Sequence, residues 1–201
     1  MKKTRKKKLV TLCAALALCA TAIIGGTLAY FTDTKTAENT FVVGKVAITL
    51  DEAKVNEMGE AQQGDRVTGN EYKLIPGHTY KKDPTIHVAN DSEKSYLFVK
   101  VVNGIEALEA AGEGTIAKQM KAKGWKPLAN VANVYYLEGT DGKPAVVSAN
   151  DNKVIFENFT INGELTELNN VSPITITAYA VQADGFADKT AAEIWTAAKL
   201  A

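Results

Sequence analysis

The chain has 201 residues with 23 basic and 23 acidic side chains, so its formal net charge is zero. Six of the basic residues lie within the first 29 residues, which hold no acidic residue, and the rest of the chain is therefore mildly acidic. An acidic body offers no positive field to phosphate groups, and we find no nucleic-acid-binding motif, so nucleic acid is excluded as an expected partner.

Residues 1–29 have the three parts of a secretory signal peptide. A basic run precedes the apolar core at 9–24, two glycines follow it, and Thr27 and Ala29 offer small side chains to a signal peptidase. We predict cleavage after Ala29, with Tyr30 as the new N-terminus and only transient contact with the membrane. The alternative is an uncleaved signal anchor, because the apolar stretch up to Ala29 is long enough to span a bilayer.

Both cysteines, Cys13 and Cys19, lie in the apolar core of this signal. Cleavage would therefore leave a chain that can form no disulfide, no thiolate metal site and no cysteine nucleophile.

The chain after the signal begins with a polar segment at 30–40, which we predict to be an extended N-terminal arm. We predict that 41–201 is a single domain, because no linker or repeat interrupts it. Its first strand is predicted at 41–51, with one apolar face formed by Val42, Val46, Ile48 and Leu50.

The next predicted elements have the turn residues and apolar runs of β structure. They are a long polar loop or ragged hairpin at 52–72, a Pro76-Gly77 turn, a strand through Ile86 and Val88, a turn at 90–93, and a strand at 96–102 buried on both faces.

The middle of the chain changes character at 106–128, which is rich in Ala, Glu and Lys. Ile116, Met120 and Lys123 recur at helical spacing. We predict one or two short helices, interrupted at 112–114 and closed by Gly124.

Strand patterns return in the C-terminal part, and a final helix follows them. Strands are predicted at 133–139, 145–149, 153–161 and 173–183, with an Asn162-Gly163 turn and a helix at 188–200 capped by Asp188 or Thr190. These elements predict a mainly β fold, an antiparallel two-sheet jelly-roll sandwich with a short helical insertion and a C-terminal helix.

The two histidines, His78 and His87, are the weak candidates for a metal site. A zinc site needs about three converging protein ligands, and the chain has no His-Glu-x-x-His motif, so we expect surface imidazoles rather than metal ligands. Motifs of serine hydrolases and nucleotide-binding loops are also missing. We therefore predict no cofactor, no metal, no catalytic residue and no enzymatic activity.

Two stretches near the N-terminus resemble the TasA/camelysin family of secreted proteins, which form biofilm matrix fibres in Gram-positive bacteria. "GGTLAYFTD" at 25–33 is similar to the signal junction of the family, and "NTFVVGKVAITL" at 39–50 is similar to its first strand. The resemblance implies a jelly-roll fold, export, and cleavage by a signal peptidase of the SipW type. It also implies a homopolymer, to which related matrix subunits can be added.

In such fibres the released arm of one subunit adds a strand to the next, by donor-strand complementation. The resemblance assigns this role to the following residues of the chain: Tyr30, Phe31, Thr32, Asp33, Thr34, Phe41 and Val43. Two alternatives stay open: a monomeric cell-surface binding or adhesion module that uses loops 51–72 and 106–128, and a camelysin-like metalloprotease that uses His78 and His87. All three readings place the protein outside the cell, in the matrix or at the cell surface.

Overall fold

The computed structural model describes residues 45–169 and 171–200. The predicted signal peptide, its cleavage site at Thr27, Ala29 and Tyr30, and the predicted arm lie outside these residues, as do the first four residues of the strand predicted at 41–51.

The described chain is mainly β, and its strands pair antiparallel, as predicted. The strands are β1 (Ile48–Asp51), β2 (Thr79–Lys81), β3 (Thr85–Val88), β4 (Ser95–Asn103), β5 (Trp125–Pro127), β6 (Val134–Leu137), β7 (Val146–Val147), β8 (Asn152–Val154), β9 (Asn158–Thr160) and β10 (Ile174–Gln182). The helices are a 3-10 helix at Glu106–Leu108, α1 (Ile116–Ala122) and α2 (Ala191–Ala197). No helix among the described residues is long and apolar enough to cross a membrane.

The first sheet has the strand order β1-β3-β8, and a two-stranded sheet pairs β2 with β9. The pairing of β2 with β9 continues in the same register into the pairing of β3 with β8. Lys81 pairs with Asn158, and Thr85, four residues later, pairs with Val154, four residues earlier. The ladder is interrupted near Pro84, which has no backbone N–H to donate. We therefore describe β2-β3 and β8-β9 as one bent ribbon.

This break corrects the prediction of a single strand over 153–161. The chain keeps its partner throughout, but residues 155–157 leave the strand conformation between β8 and β9. Ile155 and Phe156 are both fully buried. Both belong to the main core, although consecutive side chains of a regular strand point to opposite faces, and the bend at 155–157 accounts for this placement.

The larger sheet has the order β10-β4-β6-β5, and β7 pairs with β4 beyond the end of β6. β4 lies in the middle of this sheet and is buried on both faces from Ser95 to Val99, as its continuous apolar sequence predicts.

One face of the larger sheet packs against the bent ribbon in the main core. Leu97 and Val99 of β4 meet Ile86 of β3 there, and all three side chains are almost completely buried. Trp125 of β5 donates its indole N–H to the carbonyl of Val154 in β8, at 3.0 Å. The β5 end of one sheet therefore lies over the β8 end of the other.

The opposite face of the larger sheet is covered by α2. Trp195 contacts the rings of Phe98 and Tyr179, with centroids 5.4 and 5.3 Å away. The helix begins at Thr190, whose hydroxyl accepts the N–H of Glu193 while the Glu193 carboxylate accepts the Thr190 N–H. Of the two predicted capping residues, Asp188 and Thr190, the structure therefore uses Thr190.

The predicted helix in the middle of the chain is present as α1. Ile116 and Met120 bury its apolar face, and Gly124 adopts φ 85° just after the helix ends. Left-handed backbone at that position favours glycine, so the prediction that Gly124 ends the helix is confirmed.

The turns predicted at Pro76-Gly77 and Asn162-Gly163 are both present. Gly77 has φ 78°, and the His78 N–H donates to the Ile75 carbonyl, so Pro76-Gly77 forms the expected turn. Residues 162–163 also turn, but no strand follows until β10. The turn predicted there is present, and the Asn162 side chain accepts the Glu164 N–H within it.

Candidate strand-acceptor edge

The outer edge of β10 is the feature of the described residues that is most suited to recognising another chain. β10 is nine residues long, and β4 is its single strand neighbour within the described part of the protein. Its sequence, "ITITAYAVQ", contains no charged residue and no proline. Charged side chains, proline and short length are the usual means by which proteins block an edge strand, and β10 has none of them.

The backbone groups on this edge can be assigned from the pairing with β4. The Ala183 N–H donates to the Lys94 carbonyl, and Tyr179 pairs with Phe98 in the same register. Hydrogen bonding alternates along an antiparallel strand, so the odd-numbered residues of β10 bond to β4. The outward N–H and C=O groups therefore belong to the even-numbered residues Ile174, Ile176, Ala178, Ala180 and Gln182.

The side chains along the same edge are apolar and half-buried. Ile174, Ile176, Ala178 and Ala180 pack on the main core, as their predicted common face requires. Each is only partly buried, whereas Val99 and Val101 in neighbouring β4 are at most 3% exposed. The apolar row of β10 would become more deeply buried if a further strand lay beside it.

A groove lies at the start of β10, with a volume of about 320 Å³. It is lined by Asn70, Tyr72, Leu74, Lys82, Ile105, Phe159, Val171, Ser172, Pro173 and Ile174. The position of β10 beside this groove depends on Gly104, because a Cβ there would come within 2.5 Å of the Ser172 and Pro173 backbone.

The aromatic floor of this groove is formed by Tyr72 and Phe159, whose rings meet edge to face at 5.3 Å. Burial, reinforced by the nearby charge of Glu52, raises the pKa of Tyr72 well above its usual range. The phenol therefore stays neutral, and its hydroxyl donates to the Lys81 carbonyl at 3.0 Å. An apolar or aromatic side chain would suit this groove better than a charged one.

The outer strands β5, β8 and β1 are shorter, and each carries a charged residue or a proline or is covered by the following loop. β5 has three residues, of which Lys126 and Pro127 are exposed, and β8 has three residues that include Lys153. β1 has four residues, and Glu52 at its end bridges to Val67 of the following loop. The contrast singles out β10 as the long and unprotected edge.

The residues predicted from the sequence do not converge on this edge within the described structure. The cleavage residues Thr27, Ala29 and Tyr30 and the arm residues up to Val43 lie outside it. The edge itself was not predicted, because the sequence identified 173–183 as a strand without showing where it lies in a sheet. The absence of charge and proline over nine residues is the signal that could have found it.

The two histidines lie at separate places on the bent ribbon. His78 follows the Pro76-Gly77 turn, where its Nε2 lies 2.8 Å from the Met58 carbonyl oxygen and its ring meets Tyr80 edge to face at 4.5 Å. This arrangement uses the imidazole to hold the loop at 52–72 against β2.

His87 lies in the middle of β3, between side chains of both neighbouring strands. Its Nδ1 is 2.5 Å from Asn152 Oδ1, and its Nε2 is 2.9 Å from Asp51 Oδ1. Burial alone would raise the pKa of Asp51, but hydrogen bonds from Arg66 and His87 outweigh burial and hold that pKa below its usual value. Both imidazole nitrogens are thus engaged in cross-strand contacts.

These surroundings do not fit a metal centre built on His78 and His87. Across residues 45–169 and 171–200, no three His, Cys, Asp or Glu side chains are grouped so that they could hold a metal ion. A zinc site commonly needs at least three protein ligands. We therefore derive no metal-dependent step, and the absence of enzymatic activity stays a prediction.

The family model described as camelysin metallo-endopeptidase matches residues 4–81 of the chain. This match confirms the resemblance to the TasA/camelysin family, which was identified from the residues around the signal junction and first strand. No curated protein and no solved structure matches the chain.

Proposed function

We propose that this member of the TasA/camelysin family is a secreted structural protein, the subunit of an extracellular biofilm matrix fibre. In this proposal the two sheets form a jelly-roll sandwich, and the arm at 30–40 of one copy adds a strand to β10 of the next. The single observation that carries the proposal is the β10 edge, with its nine residues, its outward backbone groups and its lack of charge and proline.

The arm has the chemistry and the length that the β10 edge requires. Thr32 and Thr34 favour extended backbone, and Tyr30 and Phe31 offer aromatic anchors for the groove at the start of β10. Cleavage after Ala29 would leave 30–44 before the described domain, which can extend over roughly 50 Å at about 3.3 Å per residue. This reach exceeds the length of a nine-residue strand.

The geometry of such an assembly leads to a filament rather than a closed oligomer. The donor is the N-terminus and the acceptor is β10, so each contact joins two different surfaces, and a head-to-tail contact that does not close continues indefinitely. Other copies are the main partners, with related matrix subunits as further ones. A signal peptidase of the SipW type would start assembly by releasing the arm at Tyr30.

Electron microscopy of two purified chains tests this proposal. One chain starts at Tyr30, and the other starts at Phe41 and lacks the arm. We expect filaments from the first and monomers from the second. A synthetic peptide of residues 30–40 should bind the truncated chain and leave it monomeric, because the peptide fills the edge without carrying a second domain.

Two results would refute the donor-arm mechanism. Both chains could form filaments equally well, or both could stay monomeric while the peptide fails to bind. If the longer chain stays monomeric and the peptide binds only the truncated chain, the arm returns to its own β10, which favours the monomeric surface module.

A further inference from the structure

A lysine, a glutamate and an asparagine meet beneath the groove at the start of β10. Lys82 Nζ lies 2.6 Å from Glu52 Oε2, and the two side chains are only 10% and 4% exposed. Charged side chains are rarely buried this completely, because removing both from water is costly. A surface salt bridge therefore does not describe this pair, and its burial points to a specific role.

Asn70 occupies the other oxygen of the same carboxylate. Its Nδ2 donates to Glu52 Oε1 at 2.9 Å and to the Ala53 carbonyl at 2.9 Å. Its Oδ1 accepts the Val55 N–H at 3.0 Å. One carboxylate therefore holds an amine and a carboxamide side by side, and the amide is fixed in orientation by backbone groups.

The surroundings of this cluster are largely aromatic. The Tyr72 ring lies under Lys82, with its centroid 5.9 Å from Nζ, and it packs in turn on Tyr80 and Phe159. In such a setting, transfer of a proton from the ammonium group to the carboxylate removes both buried charges. The product is a free amine, which is a nucleophile, next to a protonated Glu52.

We propose that Lys82 and Asn70 form an intramolecular isopeptide bond, with Glu52 as the proton carrier. Glu52 takes a proton from Lys82 Nζ, and the amine attacks Asn70 Cγ. A new bond joins Nζ to Cγ, Glu52 delivers its proton to Nδ2, and the Cγ–Nδ2 bond breaks to release ammonia. Nζ then loses its second proton to Glu52, which passes it to the departing ammonia. The products are one secondary amide and one ammonium ion, with no change of oxidation state and no cofactor.

The remaining requirements of this reaction are met by groups in the structure. The Val55 N–H already bonds to Asn70 Oδ1, so it is placed to stabilise the negative charge that develops on that oxygen during the attack. Asn70 and Lys82 also line the groove at the start of β10, which gives the ammonia a path to solvent.

The bond would tie the irregular loop at 52–72 to the end of β2. It would shorten the free chain of the unfolded state and so stabilise a domain that has no cysteine after residue 29. This inference is independent of fibre assembly, because the three side chains belong to one copy and meet whether or not the arm binds.

Peptide mapping of the folded, purified full chain tests the proposal directly. After denaturation and trypsin digestion, we expect a branched peptide that joins 67–73 to 82–94, with a mass lower than the sum of its parts by one ammonia. Separate peptides with an intact Asn70 amide and a cleavable Lys82 would overturn the proposal. A branched peptide that joins Lys82 to Glu52 with loss of water would overturn it as well.

Variants with a matched control assign the roles. Lys82→Arg and Glu52→Gln should each abolish the branched peptide. Lys126→Arg should leave it unchanged, because Lys126 has an equally short 2.6 Å contact with Glu138 but is half-exposed and faces no asparagine in that contact. If Glu52→Gln folds by circular dichroism and still forms the bond, Glu52 is not the proton carrier. The wild-type map decides the question if these variants do not fold.

Discussion

Replacing Ala178 by proline should raise the protein concentration needed for fibre assembly while leaving the subunit folded. Ala178 lies in the middle of β10, and its N–H belongs to the outward set that does not bond to β4. Proline removes that donor and places its ring at the edge, where an added strand would have to approach. The ladder with β4 keeps all its hydrogen bonds, because the N–H groups of Thr177 and Tyr179 are unchanged.

The size of the effect follows from the hydrogen bond that is lost. Removing one backbone hydrogen bond costs about 1 kcal/mol net, and leaving its carbonyl partner buried and unpaired in the joint costs about 1–3 kcal/mol more. A total of roughly 2–4 kcal/mol corresponds to a rise of about 30-fold to 1000-fold in the protein concentration needed for assembly. The free energy of unfolding of the monomer should change by less than about 1 kcal/mol, since proline is tolerated where the N–H faces solvent.

Sedimentation across a concentration series measures this threshold, and urea unfolding of the monomer measures stability. Ala178→Thr is the matched control, because it changes the same side chain and keeps the N–H, and it should assemble like the wild type. Thr177→Pro should instead destabilise the monomer, because the lost N–H belongs to the ladder with β4. Normal assembly of Ala178→Pro would refute the assignment of β10 as the acceptor edge.

Two further predictions concern the stability of the subunit. Trp195→Ala should lower the free energy of unfolding by about 3–5 kcal/mol in urea titrations, since it empties a buried aromatic site; an unchanged midpoint would mean that α2 does not cover the sheet. Burial outweighs the hydrogen bonds from Ile116 and Asn103 and raises the pKa of Glu109 above 4.5, so the folded state holds this proton more tightly. The stability that this group contributes is therefore present below pH 4.5 and is lost as the pH rises through the folded-state pKa. Glu109→Gln should reduce this loss of stability relative to the wild type. The same pH dependence of stability in both proteins would contradict the prediction.

Local patterns predicted most of the elements of the described fold. The continuous apolar run of β4, the helical spacing of Ile116 and Met120, and the alternation of β10 each depend on nearby residues alone. Gly124 and the Thr190–Glu193 capping box set helix ends for the same reason, since their contacts lie within a few residues.

The features that the sequence did not reveal depend on partners far along the chain. The bend at Ile155 and Phe156 exists because Pro84, on the paired segment, interrupts the ladder. The position of β10 at a sheet edge depends on which strands flank β4. The contact of Asn70 and Lys82 with one carboxylate likewise needs the loop at 52–72 to return to β2, and no local pattern encodes that return.

The bent ribbon also has a consequence for the order in which the protein can fold. Thr79 and Thr160, whose hydroxyls meet at 2.8 Å, are 81 residues apart in the chain, and β4 pairs with β10 over a similar separation. Loops of this size must close before either ladder gains a hydrogen bond, so contacts of this kind slow folding. A chain that emerges N-terminus first therefore cannot complete the ribbon until β9 has emerged, or the larger sheet until β10 has emerged, and we expect it to fold late.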